Sequence, residues 1–119
     1  MCGIVGIVGK ENAEKIIISG LERLEYRGYD SAGLFVSDKQ TNHLIKAQGR
    51  IKNLEEKMTE DISGTIGIGH TRWATHGKPS ENNAHPHSSQ NGRLVMVHNG
   101  VIENFEEIRQ NYVASNVFY

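Results

Sequence analysis

The sequence has little of what marks several large classes of protein. With one cysteine there is no internal disulfide framework, which makes a reduced, cytoplasmic compartment the expectation. Thirteen basic and 14 acidic residues nearly cancel, which argues against a nucleic-acid or membrane-surface partner. No apolar run approaches the roughly 18 residues of a membrane-spanning helix, and no charged segment precedes an apolar stretch as in a secretory signal. The 119 residues suit one domain, which would expose roughly 6,500 Å² if folded compactly.

Glycine is the abundant residue, with 13 copies, and it marks turns and close backbone approaches. Apolar and periodic patterns predict an α+β fold with mostly antiparallel strands. We expect strands over 2–9, 32–36, 43–47, 65–70 and 94–97, and helices over 17–24, 51–58 and 105–112. The glycines on alternate positions of 65–70 indicate that another element packs closely there. The long polar segment 71–90 is predicted to be a functional loop or disordered.

Cys2 is a candidate nucleophile. Aminopeptidases remove an initiator Met before a small residue, and the new α-amine of Cys2 would then be the nearest base for its thiol. The reference pKa of an α-amine is about 7.7–8.0, so roughly 10–20% is neutral at pH 7. This pairing is the N-terminal version of a nucleophile with its base. Taken alone, Cys2 is better explained as an incidental residue on a buried strand.

Two Asn-Gly pairs occur, and this dipeptide is the commonest short hairpin turn. For Asn99–Gly100 a second interpretation is open, in which the asparagine amide and the glycine N–H converge on a developing oxyanion. Asn91–Gly92 is assigned a turn only.

The segment 70–77 reads HTRWATHG and opens the long loop. Arg72 could clamp a carboxylate with two parallel hydrogen bonds, and Thr75 adds a hydroxyl. The six histidines match no common zinc spacing, so we expect no metal site, and His85-Pro86-His87 is assigned to loop packing. The segment 27–33, RGYDSAG, is interpreted as a turn into a strand, structural or supporting the site.

The joint order of these motifs is more specific than any one of them. CGIVGIVG at 2–9, RLEYRGYDSAG at 23–33, GHTRWATHGKPSENNAHPH at 69–87 and VHNGVIEN at 97–104 together resemble the glutaminase domain of the glutamine–fructose-6-phosphate aminotransferases, a branch of the class II glutamine amidotransferases. Phosphoribosylpyrophosphate amidotransferases are the nearest alternative, but their counterparts of these motifs read differently. The resemblance implies an αββα sandwich of two antiparallel sheets, of the N-terminal nucleophile hydrolase type.

The resemblance also implies roles for individual residues. Cys2 would attack the side-chain amide of L-glutamine and form a glutamyl thioester, while Asn99 and Gly100 hold the oxyanion. Arg72 would hold the α-carboxylate, with Trp73, Thr75 and His76 in the same pocket. No metal or organic cofactor is implied. In full-length members, ammonia passes to an isomerase domain that converts fructose 6-phosphate to glucosamine 6-phosphate.

The family-like region is expected to span 2–110, with a divergent tail over 111–119, in a truncated version of the domain. No acidic residue follows Glu107, whereas the family carries a later Asp that pairs with the α-ammonium of glutamine. A truncated sandwich would have open sheet edges and an uncovered face, which favour association. The alternatives left open are an active glutaminase, an inactive fragment, an interaction module for a full-length synthase, and a histidine-rich metal binder.

Overall fold

The computed structural model describes residues 2–9, 11–38, 40–59, 62–74 and 77–114. The side chains of residues 113 and 114 are not described. The helices are α1 (Ala13–Arg23), α2 (Ile51–Lys57) and α3 (Phe105–Ala114), and a 3-10 turn spans Glu25–Arg27. The strands are β1 (Gly3–Val8), β2 (Ser31–Ser37), β3 (Asn42–Gln48), β4 (Ile66–Arg72), β5 (His87–Ser88) and β6 (Val95–Met96). Every predicted strand and helix is present.

Four strands form one antiparallel sheet in the order β1-β4-β2-β3, and β5 pairs with β6 separately. The register places Gly3 opposite Thr71 and Ser31 opposite Arg72. The start of β1, the start of β2 and the end of β4 therefore meet at one end of the sheet. The α+β class with antiparallel sheets is as expected from the sequence.

The hydrophobic core lies between one face of this sheet and the helices α1 and α2. Ile17 and Leu21 of α1 are fully buried against β4, where Gly67 and Gly69 occupy alternate positions. A Cβ at Gly67 would lie 2.6 Å from Cδ1 of Ile17, so only glycine lets the helix approach this closely. The expected close packing on this strand is confirmed.

Among the described residues, the opposite face of the sheet is covered only near the end where β1, β2 and β4 meet. There the 84–87 segment crosses β2, and a Cβ at Gly33 would overlap the carbonyl oxygen of His85. Elsewhere the face exposes four large apolar side chains, namely Ile4, Val8, Leu44 and Ile66. The accessible surface of 8,054 Å² is larger than the roughly 6,500 Å² of a compact chain of this length, and the uncovered face contributes to the difference.

Several element boundaries differ from the sequence prediction. The first helix begins at Ala13, four residues before the expected start, and Gly28 at φ 80° closes the 3-10 turn that follows this helix. The segment expected to be one long loop begins later, because β4 continues to Arg72, and it contains the two residues of β5. Strand β5 forms because it pairs with β6, and no local sequence pattern predicts this pairing. Helix α3 runs to Ala114, two residues past the expected end of this helix at 112.

Within the described ranges no helix is long and apolar enough to cross a lipid bilayer.

Candidate active site

Cys2 lies directly before β1, at the end of the sheet where β4 leads into the long loop. The backbone N–H of Trp73 donates a hydrogen bond to its Sγ at 3.3 Å, and Sγ lies 3.8 Å from the carbonyl oxygen of Trp73. The side chain is half-buried. Gly3 leaves no room for a side chain, since a Cβ there would lie 2.5 Å from Cδ1 of Leu24. The thiol thus contacts the backbone of Trp73 and remains partly accessible to solvent.

The turn that precedes β2 supports the strand end that faces the thiol. The N–H of Ala74 donates to Oδ2 of Asp30 at 2.6 Å, and the N–H of Asp30 donates to the carbonyl of Arg72 at 2.7 Å. Gly28 faces the ring of Trp73, with the nearest ring atom 3.6 Å from a Cβ built there. The 27–33 segment therefore acts as a support for residues 72–74, the second of the two roles that the sequence left open for it.

Arg72 is the last residue of β4 and is buried, with 7% of its surface exposed. Its two terminal nitrogens lie 3.4 Å from the carbonyl oxygens of Gly77 and Lys78. Gly77 has a φ of 78°, a conformation that favours glycine, and this turn folds the loop back over the guanidinium. Arg72 is thus a buried cation at the edge of the cleft, and a guanidinium can donate two parallel hydrogen bonds to a carboxylate.

The two Asn-Gly pairs adopt different conformations. Gly92 has a φ of 73° and donates its N–H to the carbonyl of Ser89, as expected for a turn. Neither Asn99 nor Gly100 has a positive φ, and the pair lies between β6 and α3, so it is not the hairpin turn that its sequence permits. Oδ1 of Asn99 lies 2.6 Å from Nε2 of His70.

Three histidine rings lie in a row beside this pair, with His70 stacked on His85 and His87 tilted against His85; we call this row the histidine stack. The ring centroids of His70 and His85 are 4.2 Å apart, and those of His85 and His87 are 4.3 Å apart. Burial lowers the pKa of all three, and for His85 the neighbouring histidines, Arg72 and Lys46 lower it further, to about 3. For His70 the hydrogen bond with Asn99 opposes this effect in part. The stack is therefore neutral at pH 7.

A cleft of about 820 Å³ connects these groups. Among the described residues its lining comprises Cys2, Arg27, Arg72, Trp73, Asn83, His85, His87, His98, Asn99, Gly100, Val101, Ile102 and Phe105. Two arginines and no carboxylate are among them, so this part of the cleft favours an anion.

Five of the seven site residues expected from the sequence line this cleft, namely Cys2, Arg72, Trp73, Asn99 and Gly100. The other two, Thr75 and His76, lie outside the described residues. Sequence reasoning missed His70 as a partner of Asn99, although one signal was present. His70 and Arg72 are two apart on one strand and therefore share a face. The part of the chain that the structure describes holds no group of three or more metal-ligating side chains.

A family model described as "Glutamine amidotransferase domain" matches residues 55–119, more than half of the chain. The chain belongs to this family. It is 64% identical over 118 residues to a protein from Streptococcus pneumoniae R6 and 60% identical over 119 residues to one from Lactococcus lactis IL1403. Both relatives are named glutamine–fructose-6-phosphate aminotransferase (isomerizing). The matches cover 99% of this chain but only 19% and 20% of the relatives, so the chain spans about a fifth of their length.

Two solved structures share the fold of this amidotransferase domain. One is the glutamine phosphoribosylpyrophosphate amidotransferase of B. subtilis, with a TM-score of 0.84 and 29% identity. The other, described as the allosteric regulatory enzyme of purine biosynthesis, has a TM-score of 0.84 and 26% identity. Each match covers the whole of this chain and 26% of the other chain. These neighbours confirm the N-terminal nucleophile hydrolase type of fold and, with the family match, the glutamine amidotransferase resemblance found in the sequence.

Proposed function

We propose that this chain hydrolyses the side-chain amide of glutamine with Cys2 as the nucleophile. The main support for the proposal is that one cleft is lined by the accessible thiol of Cys2, the buried guanidinium of Arg72 and the Asn99–Gly100 pair. This Asn-Gly pair does not form a hairpin turn. Each group matches a different part of glutamine hydrolysis. The family membership and the 60–64% identical relatives support the same reaction class.

The chemistry begins with removal of Met1, which would free the α-amine of Cys2. That amine accepts the thiol proton, and the thiolate attacks the amide carbon, so an S–C bond forms and the carbonyl π pair moves to oxygen. Asn99 and Gly100 donate N–H groups to this oxyanion. The pair then returns to re-form the carbonyl, the C–N bond breaks, and ammonia leaves with the proton held by the α-ammonium. Water attacks the resulting thioester and releases glutamate.

The orientation of glutamine in the cleft follows from charge. Arg72 binds the α-carboxylate, since a guanidinium can donate two parallel hydrogen bonds to it. By the family resemblance we assign Trp73, Thr75 and His76 to the same pocket, of which only Trp73 is among the described residues. The described part of the cleft offers no carboxylate to the α-ammonium, so glutamine binding should be weak in this chain.

The product ammonia defines the wider role that we propose. The relatives are aminotransferases of fructose 6-phosphate by name, and this chain corresponds to about a fifth of their length. We propose that the ammonia released from glutamine at Cys2 is used to form glucosamine 6-phosphate in an isomerase domain outside these 119 residues. We place this reaction in the cytoplasm, and the glutaminase step needs no added cofactor.

Glutamate release from glutamine, measured with and without substitution of Cys2, tests the proposal. We expect Cys2-dependent release that Cys2→Ala abolishes, since the alanine variant has no nucleophile. Ser19, exchanged to Ala on the outer surface of α1, provides a matched single-atom control that should keep full activity. Release that is unchanged in Cys2→Ala would exclude this cysteine as the nucleophile.

The uncovered sheet face favours a second candidate role, that of an inactive fragment or a module that associates with a full-length synthase. Val8 is 78% exposed and Ile4, Ile66 and Leu44 are each at least 39% exposed on that face. Light scattering after size exclusion, alone and with the synthase, tests this role. Co-elution without Cys2-dependent glutamate release would support it, and separate elution from the synthase would exclude it.

A further inference from the structure

Asn99 belongs to an exposed segment, and its hydrogen bond with His70 ties it to the sheet. The residues 98–102 are all exposed, whereas His70 is fully buried on β4. The distance of 2.6 Å between Oδ1 of Asn99 and Nε2 of His70 is that of a short hydrogen bond. The ring of His70 is itself held by stacking against His85. A rigid group therefore fixes the side chain of a residue that solvent would otherwise leave mobile.

The chemistry of the two groups sets the direction of this hydrogen bond. An amide oxygen only accepts, so Nε2 of His70 must carry the proton that it donates. A neutral imidazole has one N–H, which leaves Nδ1 bare. Among the described residues Nδ1 of His70 is buried without a hydrogen-bond partner, in keeping with this tautomer, while a backbone interaction with His98 raises the pKa of the ring in part. Burial lowers the pKa of His70, which favours the neutral ring over the cation.

The orientation of the Asn99 amide matters for the reaction. With Oδ1 bound to His70, the NH₂ group is not used by the ring and stays available to the cleft that Asn99 lines. An amide rotated by 180° would present its oxygen instead and would repel a developing oxyanion. We propose that His70, as the neutral Nε2–H tautomer, is a positioning residue that holds the Asn99 amide with its NH₂ group toward the oxyanion. This proposal rests on the glutaminase function proposed above and adds a residue to it.

The tautomer can be read without any turnover. Long-range ¹H–¹⁵N correlation spectra of the histidine-labelled chain at pH 7.5 distinguish a protonated from a bare ring nitrogen. We expect a protonated Nε2 and a bare Nδ1 in His70. The signals of His70 are assigned by their absence from the spectrum of the His70→Gln variant. A protonated Nδ1 at this pH, in the other tautomer or in the cation, would overturn the proposal.

Kinetics test the consequence with a double-mutant cycle. His70→Phe keeps a ring of similar size but cannot donate, and we expect kcat for glutamate release to fall by about 10- to 100-fold, with KM within about twofold. Asn99→Ala should lower kcat by roughly 10²- to 10³-fold, the loss typical of one oxyanion donor. Because His70 acts through Asn99, the double variant should be no worse than Asn99→Ala alone. Fully additive losses would overturn the proposal.

Two further variants separate positioning from folding. His70→Gln retains an N–H donor and should recover most of the activity lost in His70→Phe; recovery no better than with Phe counts against positioning. His43→Phe makes the same exchange on the helix-facing side of β3, away from the cleft, and should leave kcat unchanged. Absence of Cys2-dependent glutamate release from the unmodified chain would count against the proposed function alone, and the spectra would still decide the tautomer.

Discussion

Gly33 is the point at which the cleft wall rests on the sheet, so a side chain there should disturb the site. A Cβ at this position would overlap the carbonyl oxygen of His85 and lie 3.1 Å from that of Ile45. The φ of Gly33 is not in the left-handed region, so Ala would introduce a clash rather than backbone strain. The 84–87 segment and β2 must move apart by on the order of 1 Å to restore van der Waals distance.

Two effects of Gly33→Ala follow from this displacement. Overpacking of this kind costs about 1–3 kcal/mol of unfolding free energy, which for a domain of this size lowers Tm by roughly 5–12 °C. The displaced segment carries His85 and His87, which stack beside His70, so kcat/KM for glutamate release should also fall by about tenfold or more. Urea unfolding and glutamate release measure the two effects separately.

Two other glycines of the same sheet provide matched controls. Gly67→Ala meets Ile17 and the carbonyl oxygen of Phe35, each at 2.6 Å, on the helix side, so it should destabilise similarly but leave kcat/KM of the folded protein nearly unchanged. Gly6→Ala meets nothing within 4 Å and should be neutral or stabilise by about 0.4–1 kcal/mol. Equal stability of the Gly33, Gly67 and Gly6 variants, or equal activity of the first two, would refute the reasoning.

Three further outcomes follow from the site. Asn99→Ala should lower kcat for glutamate release by roughly 10²- to 10³-fold, whereas Asn91→Ala, in the Asn-Gly pair that only forms a turn, should keep it; equal losses in steady-state assays would contradict the oxyanion role. Burial, reinforced by neighbouring cationic and histidine side chains, lowers the pKa of His85 to about 3, below its ordinary value of 6.5. The unfolded chain therefore binds the proton first, so the contribution of His85 to stability is complete above about pH 6.5 and is lost as the pH falls toward 3. Urea midpoints should fall over that range more steeply in the unmodified chain than in His85→Phe, and parallel curves would contradict this. Glutaramate, which lacks the α-ammonium of glutamine, should be hydrolysed with a kcat/KM within about threefold of that for glutamine, since no described cleft residue pairs with the ammonium; a 100-fold preference for glutamine would contradict the charge argument.

Much of the fold was predictable because its signals are local. The Gly-punctuated apolar run became β1, and the alternating glycines of β4 marked the close approach of Ile17. The order of four motifs also identified the family, which the family match and the fold neighbours confirm. Local spacing and motif order carry this information directly.

The histidine stack and the ends of the elements were not predictable in this way. His70 and His85 are 15 residues apart, and their contact depends on a loop that crosses β2 over a glycine. The conformation of Asn99–Gly100 likewise depends on its tie to His70, because the dipeptide alone favours a hairpin. These contacts and conformations arise from tertiary packing, which neither hydrophobic periodicity nor motif spacing predicts.

The most direct test of the central claim is intact mass after treatment with an electrophilic glutamine analogue that alkylates N-terminal nucleophiles. Cys2 is the one cysteine in the chain, so the site of a thiol adduct is unambiguous. We expect loss of Met1 and one stoichiometric adduct, and glutamine should slow the formation of this adduct. Retention of Met1, or labelling at a rate indifferent to glutamine, would contradict an assembled glutamine site at Cys2.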